Sequence, residues 1–363
     1  MNRRSTPLPT LPEILTMYFH PAPSRRSRAL AAAVAVLALL AFAPPPAAAA
    51  NTKHGTRHAR PRARPAKPAA APAAPAKPLR TTAEILRDAP ESAWRSVDPE
   101  NLLLMSLPGG TVYIELAPSF APHHVANIRT LVSQHYYDGL AVLRVQDNYV
   151  AQWGDPDAET PAKARPLGAA AATLAPEFSI PDQGLKIAAL KDRDLWAPVT
   201  GFVEGFAVAA NPRLHRAWLA HCYGVVGAGR DNAIDSGNGA ELYAVIGQSP
   251  RALDLNITTV GRVLQGMELL SSLPRGGPNM GFYDKPEQLV RIDRVQRAAE
   301  IPQAQRPTVR VLRPESPVWP ELVESRRNRR DAWYVHRADA IDLCNLSVPV
   351  NVEAAAASEA KAP

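Results

Sequence analysis

Cysteine is nearly absent from this chain of 363 residues, which holds only Cys222 and Cys344. Neither stands in a Cys-x-x-Cys pair and no spaced histidine pair accompanies them, so the common zinc-site patterns are excluded. Gly-x-Ser-x-Gly does not occur, and Ser236 in Asp235-Ser236-Gly237 is therefore no nucleophile elbow. Gly227-Ala228-Gly229 lacks the remainder of a dinucleotide fingerprint. No internal repeat is evident. The longest apolar run, residues 29–43, has 15 residues, where a membrane span needs about 20. Acidic residues are missing from 51–78, and that absence changes how the net charge of +7 is read. Residues 1–50 carry +4, residues 51–78 carry +7, and residues 79–363 carry −4. The folded part is mildly acidic, which argues against a nucleic-acid partner.

What is present begins with a leader. Arg25, Arg26 and Arg28 precede the apolar run 29–43, and alanines at 47–50 follow it. This pattern predicts a secretory signal peptide over residues 1–50, cut before Asn51, with Met17 as an alternative start. An uncleaved anchor is the alternative reading. The expected location is export, with the periplasm as the compartment, and no membrane span is expected to remain after cleavage. Residues 51–79 are rich in Pro and Ala and basic, which predicts an extended linker. It serves as a solvated tether or touches an anionic envelope surface. In an exported chain two cysteines invite a disulfide between Cys222 and Cys344, tying the C-terminal segment to the main domain. Two buried free thiols are the alternative.

A folded domain is expected over 80–300, with an insertion at 157–220 and a C-terminal extension at 301–363. The spacing predicts a helix over 81–95, capped by Thr81 or Thr82 with Glu84 in its first turn. Two strand-like runs flank Pro108-Gly109-Gly110 as a hairpin. Pro122 opens a helix in which Val125, Ile128 and Leu131 recur at helical spacing. Strands are expected near 140–146 and 149–153, then in the insertion at 186–190 and 201–210. After Tyr223 the β character returns, with a short helix near Met267 and a last β run to about residue 298. Many short strands with few helices point to a β-barrel or sandwich. The charged run 324–331 is expected as a solvated helix face, and residues 354–363 as a disordered tail.

The stretch 136–156 carries the chemistry. It sets Arg144 in an apolar strand-like run, with Gln152 eight residues on and Tyr149 and Val150 between. A cation beside an aromatic and aliphatic wall suits gripping a proline ring and the amide before it. Rotation about a peptide C–N bond faces a barrier of roughly 18–20 kcal/mol, because the bond is partly double. A guanidinium near the prolyl nitrogen binds the twisted state better than the planar one and so lowers that barrier. No nucleophile, metal or cofactor is required, and none is expected. On the same residues, Arg144 also suits a structural ion pair, Gln152 a strand cap, and Tyr149 and Tyr243 a core.

Residues 110–156 resemble the cyclophilin-type peptidyl-prolyl isomerases: Val112-x-Ile114-Glu115-Leu116, Ala121-Pro122, Val125-x-Asn127, Tyr137-Asp138-Gly139 and Gln152-x-Gly154-Asp155-Pro156. Residues 223–267 resemble the family's second half. The resemblance implies an eight-stranded antiparallel β-barrel capped by two helices. It implies a catalytic arginine at Arg144 with Gln152 beside it, and a substrate wall of Tyr149, Val150, Tyr243 and Leu253. The implied partners are Xaa-Pro segments of unfolded exported proteins. Departures from the family's pattern fall at Val142-Leu143 before the arginine, at Glu241 for a backbone-binding glutamine, at Ala252 for a tryptophan and at Ile257 for a histidine. Ala228-Gly229-Arg230 replaces a substrate-binding run. Glu241 is placed either in the substrate wall or in an ion pair with Arg144 that blocks the site. These exchanges leave a peptide-binding module or chaperone with little isomerase activity as the alternative function, and the extension as a docking surface as a third. His123, His124 and His221 read as surface or satisfied residues.

Overall fold

The computed structural model describes residues 80–329, 331 and 333–353. The expected signal peptide, the linker and the tail from residue 354 lie outside the described residues.

One antiparallel sheet frames the molecule. From edge to edge its strands are Val290–Arg291, Ala141–Val145, Val150–Gly154, Leu242–Val245, Val225–Ala228, Thr259–Gln265, Gly110–Leu116, Leu102–Leu107 and Arg294–Arg297. The first and last of these belong to one continuous stretch, residues 290–297. Val290 pairs with Val142 at one edge, while Arg294 to Arg297 pair with Ser106 to Leu103 at the other. The sheet therefore curls onto itself, and counting 290–297 once leaves eight strands. Closure removes the open edges that would otherwise template aggregation. Alternation along each strand sends Met105, Val112, Ile114, Ala151, Trp153, Val226 and Ala244 into the interior. The helix Pro122–Ser133 lays Val125, Ile128, Leu131 and Val132 against that core, and Leu270 of the short helix Met267–Ser271 joins it. The expected barrel with two helices is what folds.

The insertion forms a sheet of its own. Its order is Ile180–Pro181, Arg216–Leu219, Phe206–Asn211, Val199–Val203 and Ala188–Ala189. The helix expected over 81–95 is shorter. Thr81 and Glu84 make the reciprocal capping box of helix Thr82–Arg87, but Ala89 precedes Pro90 and is steered out of helical geometry. Trp94–Ser96 instead pairs with Thr308–Leu312, which pairs on its other side with Val350–Glu353. A second core joins these pieces: Ile85, Leu102, Phe202, Trp218, Trp319, Leu322 and Leu343 all belong to it.

The helical part of the charged run, residues 324–327, is not a solvated face, whereas Arg329 and Asp331 are exposed. Helix Trp319–Arg327 turns Trp319 and Leu322 into the second core, and its last turn then meets the insertion. Arg327 pairs with Asp192 and Glu324, and the buried Ser325 hydroxyl donates to the Leu322 carbonyl. Cys222 and Cys344 are joined by a disulfide with an S–S distance of 2.06 Å. Among the described residues no helix is long and apolar enough to cross a membrane.

Candidate active site

Strand register builds the site. Arg144 lies opposite Gln152, Gln152 opposite Tyr243, and Tyr243 opposite Gly227, so four neighbouring strands carry one row of residues. This row is on the outer face, because Val142, Val145, Ala151, Trp153, Leu242 and Ala244 occupy the barrel interior. Strict alternation from the inward Val142 would send Arg144 inward as well. A register shift between Val142 and Arg144 leaves Leu143 as an extra residue. Such a bulge re-aims the side chain that follows, and Arg144 points outward to Gln152.

The guanidinium is held from three directions. Its Nε donates to the Met280 carbonyl at 2.7 Å, one terminal nitrogen donates to Gln152 Oε1 at 3.0 Å, and the other donates to Gln146 Oε1. Of the five N–H donors of arginine, one on each terminal nitrogen remains without a partner among the described residues. The rings of Phe282 and Tyr149 lie 5.2 and 5.7 Å from its carbon, a cation–π arrangement. Arg144 is only 8% exposed, and burial lowers its pKa from the ordinary arginine value, though an arginine stays charged at any working pH. Met280 and Phe282 reach this strand because Gly281, at φ +81°, passes close to Gln146; a Cβ there would lie 2.5 Å from the Gln146 Cα.

Gln152 is the hinge of a polar chain. Its carbonyl faces the cation and its amide nitrogen donates to Glu241 Oε2 at 2.6 Å. Glu241 therefore makes no direct ion pair with Arg144, because the glutamine side chain stands between them. Burial raises the Glu241 pKa above the usual carboxylate value, against the lowering effect of the Gln152 hydrogen bond. Arg144, Tyr149, Val150, Gln152, Glu241, Tyr243 and Leu253 all line one cavity of about 560 Å³, which Ile257 and Phe282 also line. Val150, Tyr243 and Val245 form a small apolar cluster on this face, with Tyr149 and Ile257 packed against it. The structure thus gathers every expected site residue on the barrel into one place, whereas the Cys222–Cys344 disulfide lines other cavities. Ala252 is exposed and stands outside the cavity.

Several residues that sequence reasoning passed over belong here as well. Met280, Phe282 and Gln146 hold the guanidinium. Beneath the cavity, His221 is fully buried, with Nδ1 3.0 Å from Asp254 Oδ1 and Nε2 3.0 Å from the Tyr243 hydroxyl. His124 is buried and satisfied, between Glu177 and the Gly237 carbonyl. Chemically, the site offers a fixed cation with free donors, an amide beside it and an apolar wall. Among the described residues no group of three or more His, Cys, Asp or Glu is arranged to hold a metal ion.

Comparison with known proteins agrees with this geometry. The family model for the cyclophilin type peptidyl-prolyl cis-trans isomerase/CLD matches residues 102–297, the barrel with its insertion. The chain is 26% identical over 199 residues to a probable peptidyl-prolyl cis-trans isomerase of Brucella suis, covering 54% of this chain and 83% of that protein. A namesake from Brucella abortus is 25% identical over the same length. The crystal structure of cyclophilin AquaCyp293 from Hirschia baltica superposes with a TM-score of 0.61 at 27% identity, covering 77% of this chain and 99% of that one. That coverage exceeds the span 102–297, so the likeness extends into the flanking segments. With an eight-stranded barrel, an outward arginine–glutamine pair and a family match over more than half its length, the chain belongs to the cyclophilin-type peptidyl-prolyl cis-trans isomerases.

Proposed function

We propose that the cavity at Arg144 is where this isomerase turns Xaa-Pro bonds, and that its clients are unfolded exported proteins. The observation that carries the reading is the guanidinium with one free N–H on each terminal nitrogen, aimed beside the apolar wall of Tyr149, Val150, Tyr243 and Leu253. The wall holds the prolyl ring. As the C–N bond twists, conjugation is lost and the prolyl nitrogen gains lone-pair density. A free guanidinium N–H donates to it, an interaction stronger in the twisted state than in the planar one. Three fixed contacts orient the cation in advance, so little reorganisation is left for the moment of rotation.

The binding-module reading has its own support in Glu241, whose carboxylate is chained through Gln152 to the cation, and in Ile257 on the wall. The two readings separate on refolding of a denatured reporter limited by proline isomerisation. An isomerase speeds the slow phase at substoichiometric amounts. A pure binding module suppresses aggregation and leaves that phase unchanged. Export rests on the leader pattern at 25–50: protein recovered from the exported fraction should begin at Asn51; a chain still carrying residues 29–43 contradicts cleavage, and one found only in the cytosol contradicts export.

Glu241 predicts a pH dependence. Its folded-state pKa is raised, so the neutral form persists above the usual carboxylate range and the negative charge appears as pH climbs through the raised value. That charge opposes the field of Arg144. Wild-type kcat/KM should therefore be higher below the transition than above it, and Glu241→Gln should remove the step and gain roughly a few-fold above it. The same sign governs stability. Ionising Glu241 costs folding free energy as pH rises, so the variant's advantage in urea midpoint should be greater at pH 7 than at pH 4. A variant that keeps the wild-type pH step would contradict the assignment.

A further inference from the structure

The wall of the cavity includes a tyrosine whose hydroxyl points away from it. Tyr243 is 4% exposed. Its phenol lies over Gly227, where a Cβ would stand 2.3 Å from the hydroxyl oxygen. Past that gap the hydroxyl meets His221 Nε2 at 3.0 Å. The other ring nitrogen faces Asp254 Oδ1 at 3.0 Å, and the His221 backbone N–H donates to the same oxygen. Trp218 Nε1 and Arg251 Nε donate to Oδ2 at 3.0 and 2.7 Å, so the carboxylate accepts four hydrogen bonds. In the tautomer that carries its proton on Nδ1, toward Asp254, the ring accepts at Nε2 from the tyrosine O–H. Burial alone would raise the Asp254 pKa, but the bonds from His221 and the charge of Arg251 together leave it below the ordinary value. Arg251 also pairs with Asp194 of the insertion at 3.0 Å. A phenylalanine would fill the wall without this polar load. The hydroxyl is matched instead by a buried partner that is itself held.

We propose that His221 is a positioning residue of the prolyl site: held by Asp254, it fixes the Tyr243 ring through the hydroxyl and thereby sets the shape of the wall that grips the proline. A wall contact holds planar and twisted substrate about equally, so its loosening appears in KM and not in kcat. The inference rests on the cavity at Arg144 being the prolyl site.

The test is a double-mutant cycle on kcat/KM for an Xaa-Pro peptide, with His221→Leu, Tyr243→Phe and the pair. His221→Leu should raise KM about tenfold with kcat within about twofold, the scale of one buried hydrogen bond. Tyr243→Phe, which removes one oxygen and keeps the wall's volume, should raise KM several-fold, about as far as the pair does. In the Tyr243→Phe background the His221 change should then have almost no effect. His221→Gln, whose amide both donates and accepts, should recover part of the loss. Gly227→Ala, which crowds the phenol from the other side, should raise KM with His221 intact. Equal losses from His221→Leu in both backgrounds would overturn the inference, and so would an unchanged KM in Tyr243→Phe. If His221→Leu does not fold, Tyr243→Phe and Gly227→Ala decide alone, since unchanged KM in both is equally fatal. If Arg144→Ala leaves the rate untouched, it is the assignment of the cavity that fails. If Arg144→Ala is slow while the cycle is additive, only the role of His221 fails.

Discussion

Arg144→Ala is expected to lower kcat/KM for an Xaa-Pro peptide by about a hundredfold or more, the usual consequence of removing a preorganised donor from a transition state. The loss should fall mainly on kcat, because the wall of Tyr149, Val150 and Tyr243 still binds the ring. Stability should change little in comparison. The side chain lines the cavity, and water entering the vacated space can satisfy Gln152, Gln146 and the Met280 carbonyl. Arg144→Lys should recover only a small part. Lysine keeps the charge, but a point ammonium cannot bond the Met280 carbonyl, Gln152 and Gln146 together and still present free donors. A folded Arg144→Ala protein with wild-type kcat would show that the prolyl bond turns elsewhere.

The largest expected change in stability comes from the disulfide. Cys222 and Cys344 are 122 residues apart. Closing a loop of that length restricts the unfolded chain and is worth about 3–5 kcal/mol in the chain-entropy account. The flanking residues Leu343, Leu346 and Val348 are buried in the second core, so the native contacts should persist when the bridge is removed. Cys222→Ser with Cys344→Ser should therefore fold and unfold at a clearly lower urea midpoint. Wild-type protein in reductant should match the variant, and the variant should not respond to reductant. Identical wild-type midpoints with and without reductant would contradict this account.

Much of the barrel is legible in the sequence. The strand-like runs near 140–146 and 149–153 hold the strands Ala141–Val145 and Val150–Gly154, and helical spacing marked Pro122–Ser133. What stayed hidden is non-local. The strand Trp94–Ser96 exists because Thr308–Leu312 comes back to pair with it, and three residues carry no periodicity to read. The bulge at Leu143 decides which way Arg144 points, yet nothing in Val142-Leu143-Arg144 announces an extra residue. Phe282 and Met280 reach the guanidinium from a segment far along the chain. His221 looked like a solitary histidine because its partners, Asp254 and Tyr243, meet it only after the barrel closes. Glu241 was visible as an exchange in the wall, but its separation from Arg144 by the Gln152 side chain follows from register.

Isomerisation is expected on the outer row Arg144–Gln152–Tyr243. Exchange NMR on a short Ala-Pro peptide with a small fraction of wild-type protein tests it most directly, because it reads cis–trans exchange on the peptide and binding shifts on the protein in one sample. Cis–trans exchange cross-peaks absent from the peptide alone are expected, with protein shifts concentrated at Tyr149, Val150, Gln152, Tyr243 and Phe282. Exchange no faster than in free peptide, or shifts gathered away from this cavity, would contradict it.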